Sequence, residues 1–144
     1  MSGRRKVSRG SALILWHPAF CEAISMDLEP WKDVLEFKFE YELTTGPLKI
    51  DVLVIRKLTA DPIKGNIATL FREYNILEYK SPEDYISVDN FYKVYGYACF
   101  YASLSSKNID SLTISLVGSR YPKELLRHLE KTRGYRVEEA YSGI

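Results

Sequence analysis

The sequence predicts an α/β sandwich, with a mixed central sheet flanked by helices, on three observations. Apolar residues alternate with polar ones in some stretches and recur at helical spacing in others. Three strand-like segments follow one another before the second helical stretch, which excludes a Rossmann-type βαβ repeat. The chain has 144 residues, 46% hydrophobic and 27% charged, the size and composition of one ordinary domain with a core.

Met1 to Gly10 holds Arg4, Arg5, Lys6 and Arg9 and no acid, and reads as a flexible, solvated basic arm. Residues 11–144 read as a single unit, without internal repeat or low-complexity block. After His17-Pro18-Ala19, the residues Phe20, Ile24 and Leu28 recur at helical spacing and Pro30 stops the run, giving a helix over 18–29. From Leu35 to Leu43, the apolar Leu35, Phe37, Phe39, Tyr41 and Leu43 alternate with Glu36, Lys38, Glu40 and Glu42, the pattern of a half-exposed strand. Thr44-Thr45-Gly46-Pro47 supplies a turn, and Leu48 to Ile55 resumes as an apolar run. The two segments should form an antiparallel hairpin, its second strand buried on both faces except at Asp51.

An irregular segment around 61–66 leads to a third strand, Tyr74 to Lys80, which Ser81-Pro82 ends. Ser87 to Ser103 reads as a helix with Val88, Phe91, Tyr92, Tyr95, Cys99 and Phe100 at helical spacing and Ser87 or Asp89 as its cap. Gly96 inside it suggests close packing. Leu112 to Val117 is a fourth strand and Lys123 to Thr132 a helix with Leu125, Leu126 and Leu129 inward. Tyr135 to Tyr141 has the pattern of a last strand.

Twenty basic against 19 acidic side chains give a net charge of +1, and without the arm 16 face 19, a net of −3. A uniformly basic nucleic-acid binder is excluded, although local basic faces can still meet phosphates. The longest apolar stretch free of charge, Val94 to Ser106, falls short of the ~20 residues of a membrane helix, and no signal-peptide pattern is present. A soluble, cytoplasmic protein with no membrane partner is expected. Cys21 and Cys99 form no CxxC pair and are expected to be small core residues.

Three charged residues interrupt the apolar strands. Asp51 shares, by period 2, the face of Leu53 and Ile55, and a carboxylate there is costly to bury unless paired or metal-bound. Glu78 and Lys80 are two apart and so leave the third strand on one side, with about 7 Å between their Cα atoms. Two carboxylates from neighbouring strands supply the hard oxygen donors that Mg²⁺ prefers, water and a substrate phosphate completing the octahedron. Lys80 beside such a metal would orient the attacking water or offset charge on the phosphate, and the chemistry implied is phosphodiester hydrolysis.

Asp51, then Glu78-x-Lys80 in a strand closed by Ser-Pro, after a helix bearing Glu22, resembles the PD-(D/E)XK nuclease superfamily, and the 27 residues from Asp51 to Glu78 fall within its loose spacing. Trp16-His17-Pro18-Ala19-Phe20, Ile50-Asp51-Val52-Leu53, the run Phe71 to Pro82 and Phe91 to Tyr97 are similar to its bacterial transposase-associated members, akin to recombination-promoting nucleases. The likeness covers most of residues 13–120. It implies a restriction-endonuclease-like αβββαβ core in which Asp51 and Glu78 bind Mg²⁺ or Mn²⁺, Lys80 assists the attacking water, and Glu22 is a third metal ligand for which Glu40 and Glu42 compete. The substrate implied is DNA. Ile50 stands where that pattern has its proline, a change the metal does not feel because only the carboxylate touches it. Members of this group often continue beyond the point where this chain ends, so a domain shortened at its C-terminus is one expectation.

Other residues are read for nucleic-acid contact. Lys93 and Tyr97 share one helix face where they would reach a phosphate, with Asn90 beside them. Arg120, Lys123, Arg127 and Lys131 recur at spacings of 3, 4 and 4 as a basic stripe on the last helix. A solvated amphipathic face explains the stripe equally well. His17 and His128 are isolated, and no glycine-rich phosphate loop is present. A descendant that keeps the fold but only binds nucleic acid or protein is the alternative, and tyrosine-rich surface leaves a homodimer open.

Overall fold

The computed structural model describes residues 16–38 and 52–144. The arm, the outer part of the first strand with Glu40 and Glu42, the turn at 44–47 and the start of the second strand with Asp51 lie outside the described residues. Within them the order is α1 (Trp16–Asp27), β1 (Leu35–Lys38), β2 (Leu53–Lys57), β3 (Tyr74–Tyr79), α2 (Val88–Leu104), β4 (Leu112–Val117) and α3 (Lys123–Lys131), with short 3-10 turns at Glu29–Val34, Asn66–Leu70 and Ile109–Ser111. This is the helix, three strands, helix, strand, helix order that the sequence predicts. Pro30 falls at the start of the first 3-10 turn, where its missing N–H costs nothing.

The sheet order is β1-β2-β3-β4. β1 pairs with β2 antiparallel, Leu35 opposite Lys57 and Lys38 opposite Val54, so the expected hairpin pairing is present. β2 and β3 are also antiparallel, and β4 joins β3 in parallel from Tyr74 opposite Leu112 to Tyr79 opposite Val117. A parallel pair needs a crossover, which α2 provides.

Period 2 divides the sheet into two faces. Val52, Val54, Tyr74, Ile76 and Leu112 pack with Val94, Tyr97, Ala98, Tyr101 and Ala102 of α2. Leu53, Ile55 and Leu77 pack on the other side with Ile24 of α1 and Leu28 just after it, together with Ile63, Ala68 and Phe71 from the connections. β2 serves both layers, and for that reason its run is continuously apolar rather than alternating. Phe20 of α1 stacks on Tyr79 at 4.8 Å. Among the described residues no helix is long and apolar enough to cross a membrane.

Asn75 is fully buried on β3 and all its polar capacity is used. Its Nδ2 donates to the carbonyls of Ile55 (3.0 Å) and Arg72 (2.8 Å), while its Oδ1 accepts from the Arg72 N–H (2.8 Å) and the Thr113 hydroxyl (2.6 Å). One side chain thus ties β3 to both neighbours.

Several sequence expectations are corrected. The face of α2 that meets the sheet carries Val94, Tyr97, Ala98, Tyr101 and Ala102, whereas Tyr95, Cys99 and Phe100 are exposed and Val88, Phe91 and Tyr92 half-buried. The helix is apolar around much of its circumference, so periodicity alone does not choose a side; the sheet selects the stripe where two alanines allow close approach. Cys21 is buried, but Cys99 is not. Residues 135–141 form no strand. Gly134 adopts φ +66°, and the Tyr135 N–H turns back to the Leu129 carbonyl at 2.9 Å, closing α3 and leading into an exposed tail.

Gly96 is not a close-packing device either, because a Cβ there would meet nothing within 4 Å. Gly96→Ala is therefore expected to stabilise the protein by about 0.5–1 kcal/mol through helix propensity alone. Urea unfolding checks this; an unchanged or lower midpoint would contradict it.

Candidate functional site

Only Asn75 and Glu78 are polar side chains buried among the described residues, and they point to opposite faces of β3. Asn75 is saturated by hydrogen bonds. Glu78 lies at the carboxyl end of the strand, on the α2 side with Ile76 and Tyr74. Lys80 follows on the same side, its backbone N–H donating to the Val117 carbonyl at 2.8 Å, which keeps the chain in ladder register one residue past the end of β3.

The Lys80 ammonium stands 3.6 Å from Glu78 Oε1 and 3.8 Å from Asp84 Oδ2. Both distances exceed the roughly 2.7–2.9 Å of a charge-assisted hydrogen bond. Ion pairs elsewhere among the described residues range from 2.6 Å in Lys32–Glu29 and Arg136–Glu138 to 4.0 Å in Arg56–Glu73. The group holds two carboxylates and one ammonium near one another, Glu78 and Lys80 largely enclosed and Asp84 on the solvent side.

Asp84 is the member that the sequence reading missed. A turn after Ser81-Pro82, closed by the Asp84 N–H to the Ser81 carbonyl at 3.0 Å, carries it back toward the strand end. Its other oxygen accepts from the Tyr85 N–H at 2.8 Å, which fixes the carboxylate. The available signal was its position four residues beyond Lys80, across a proline turn. Gly118, after β4, completes the wall: a Cβ there would meet Ile86 Cδ1 at 3.1 Å and Lys80 Cβ at 3.8 Å.

The remaining candidates are distributed as follows. Glu22 is exposed on α1, the helix that covers the face opposite to Glu78. Leu53 and Ile55 also face α1, so the period-2 reading that groups Asp51 with them does not by itself carry Asp51 to Glu78, and Asp51 lies outside the described residues. Among the described residues, no group of three or more His, Cys, Asp or Glu side chains stands together as a metal cage. Glu78 and Asp84 nevertheless are the hard oxygen donors that Mg²⁺ takes with water and phosphate in its other positions, so the donor chemistry fits.

On α2, Lys93 is exposed, while Tyr97 is only 3% exposed and belongs to the core, so its ring meets the sheet and not a phosphate. Asn90 is occupied by a capping box: its N–H donates to Ser87 Oγ at 3.1 Å and its Oδ1 accepts from the Ser87 N–H at 3.2 Å. Arg120, Lys123, Arg127 and Lys131 are all exposed, and Leu125 on the inner side of α3 is buried. Lys131 lies 3.4 Å from Glu130. His17 contacts Cys21 Sγ at 3.6 Å, and His128 joins Tyr92 through a 2.7 Å hydrogen bond that ties α3 to α2.

Comparison with protein families, with curated proteins and with solved structures gives no match to this chain.

Proposed function

We propose that the protein is a Mg²⁺-dependent nuclease of PD-(D/E)XK type that hydrolyses phosphodiester bonds of DNA, with the sheet and its flanking helices serving as a restriction-endonuclease-like core. The observation that carries this reading is the Glu78–Lys80 pair: a buried acid and a lysine on one side of an apolar strand, 3.6 Å apart, at the carboxyl end of β3. Support comes from the order of elements and from β4 lying parallel to β3, which brings the loop after β4 to the same end. In open α/β sheets ligands bind beyond the carboxyl ends of strands.

Glu78 would hold the metal, with Asp51 as the second carboxylate that the family resemblance implies and Asp84 as the one beside Lys80. Glu22 is left out, since it is exposed on the helix over the other face. When bound, Mg²⁺ supplies a polarised phosphoryl oxygen and a water of lowered pKa. Lys80 donates a hydrogen bond to the attacking water and offsets negative charge as the phosphorus becomes pentacoordinate. Asp84 and Glu78, at 3.8 Å and 3.6 Å from the ammonium, aim it.

Plasmid nicking with Mg²⁺ or Mn²⁺ tests the assignment. The native chain is expected to nick and Lys80→Ala to lose the activity, while Asp51→Ala and Asp84→Asn identify the second carboxylate by which of them abolishes it. Equal activity in all variants would mark a contaminant. DNA binding without cleavage under any divalent metal would replace this reading with the non-catalytic one.

A further inference from the structure

A cavity of ≈ 350 Å³ lies between the segment 85–87, which follows β3, and the segment 120–124, which follows β4. Both segments leave the carboxyl ends of the parallel pair, so the cavity opens where α/β sheets bind ligands. Ile86 forms part of its wall and is also the side chain against Gly118, the residue that approaches Lys80 Cβ. Ile86 thus borders both the cavity and the Gly118 backbone that Lys80 Cβ approaches.

Its lining combines two kinds of chemistry. Tyr85 and Tyr121 are 58% and 78% exposed, large aromatic rings that the fold does not use. Arg120 and Lys123 are exposed cations, and among the described residues neither is in an ion pair; Glu124 is the one carboxylate on the wall. Aromatic faces beside cations are how proteins hold unstacked nucleotides, base on ring and phosphate on cation. A duplex hides its base faces and offers only edges. The volume is at the low end of the roughly 300–1,000 Å³ of small-ligand pockets, room for one nucleotide and not for a base-paired helix.

We infer that this cavity takes one unpaired nucleotide of a DNA strand, next to the phosphate that Lys80 addresses, and that the substrate is DNA carrying a single-stranded or frayed segment at the cut. Its place beside the cut rests on the nuclease reading of Glu78 and Lys80, whereas the binding it requires does not. Arg120 and Lys123, two members of the basic stripe, then have a local task distinct from Arg127 and Lys131 further along α3.

The test is fluorescence anisotropy of the full chain without divalent metal, using a labelled oligothymidylate and a duplex of equal length. The native chain is expected to prefer the single strand. Tyr121→Ala should weaken that complex by about tenfold, the order of one lost base–aromatic stack, with little effect on the duplex, and Tyr121→Phe should restore it. Arg120→Ala should lower the slope of log affinity against log salt by about 1. Native preference for the duplex, or unchanged single-strand affinity in both Tyr121→Ala and Tyr85→Ala, would overturn the proposal. The two readings fail separately. Cleavage absent while the Tyr121 effect on binding persists removes the nuclease and keeps the pocket. Cleavage of blunt duplex at equal rates by native and Tyr121→Ala protein removes the pocket and keeps the nuclease.

Discussion

Glu78→Gln is expected to lower metal-dependent DNA cleavage by more than about 100-fold, because even a partner one sphere removed from a metal ligand is worth 10–100-fold. The same substitution is expected to leave the melting temperature unchanged or higher. Glu78 is buried on an apolar strand, and an amide of the same shape removes the cost of desolvating a carboxylate. If instead the Glu78–Lys80 pair existed to hold the fold together, removing one partner would cost about 3–5 kcal/mol. Activity and thermal melting measured on one sample therefore separate the two roles. A site maintained for chemistry at the expense of stability gains Tm as it loses turnover. Loss of both together would make the pair a structural element and remove the main support for the nuclease reading.

A large loss of stability is expected from Asn75→Ala. The substitution strips hydrogen bonds from two carbonyls, one N–H and the Thr113 hydroxyl, at a position with no access to water. With about 1–3 kcal/mol for each buried group left unsatisfied and partial relaxation of the neighbours, the net effect should be about 3 kcal/mol. In urea this appears as a lower midpoint with an unchanged slope. Asn75→Asp keeps the acceptor but loses both donors and buries a charge, so it should fall at least as far. A midpoint within error of the native protein for either variant would contradict the assignment of Asn75 as a structural tie.

The contrast between these two residues bears on what could be read from the sequence. Alternation and helical spacing located the strands and helices because burial on one face or both imposes those periods directly; β4 at 112–117 and the antiparallel hairpin pairing follow from that. Where apolar residues surround a helix, the period carries no direction, and on α2 it points to the side of Cys99 and Phe100, whereas the sheet takes Ala98 and Ala102. Tyr135 to Tyr141 shows the other weakness: an alternating segment becomes a strand only if an edge receives it, and here the chain turns at Gly134 instead. At the site, Glu78 and Lys80 stood out as charges within an apolar run, a local signal. Asp84 did not, since its approach to Lys80 depends on a proline turn, and the spacing that pairs Tyr97 with Lys93 does not show that the Tyr97 ring completes the core. The separation of Glu22 from Glu78 by the thickness of the sheet is a tertiary fact that spacing along the chain does not encode.

Asn75 and Glu78 are three positions apart, and an odd interval on a strand sends them to opposite layers. Sliding β3 by a single residue against β4 would drive the acid into the aliphatic layer under α1 and turn Leu77 outward to where the lysine stands. The four bonds of the amide can form in one alignment only, so Asn75 acts as a register pin whose beneficiary is the carboxylate it never touches. Loops beyond the pinned end are then free to vary in length and composition without endangering the alignment on which the acid depends.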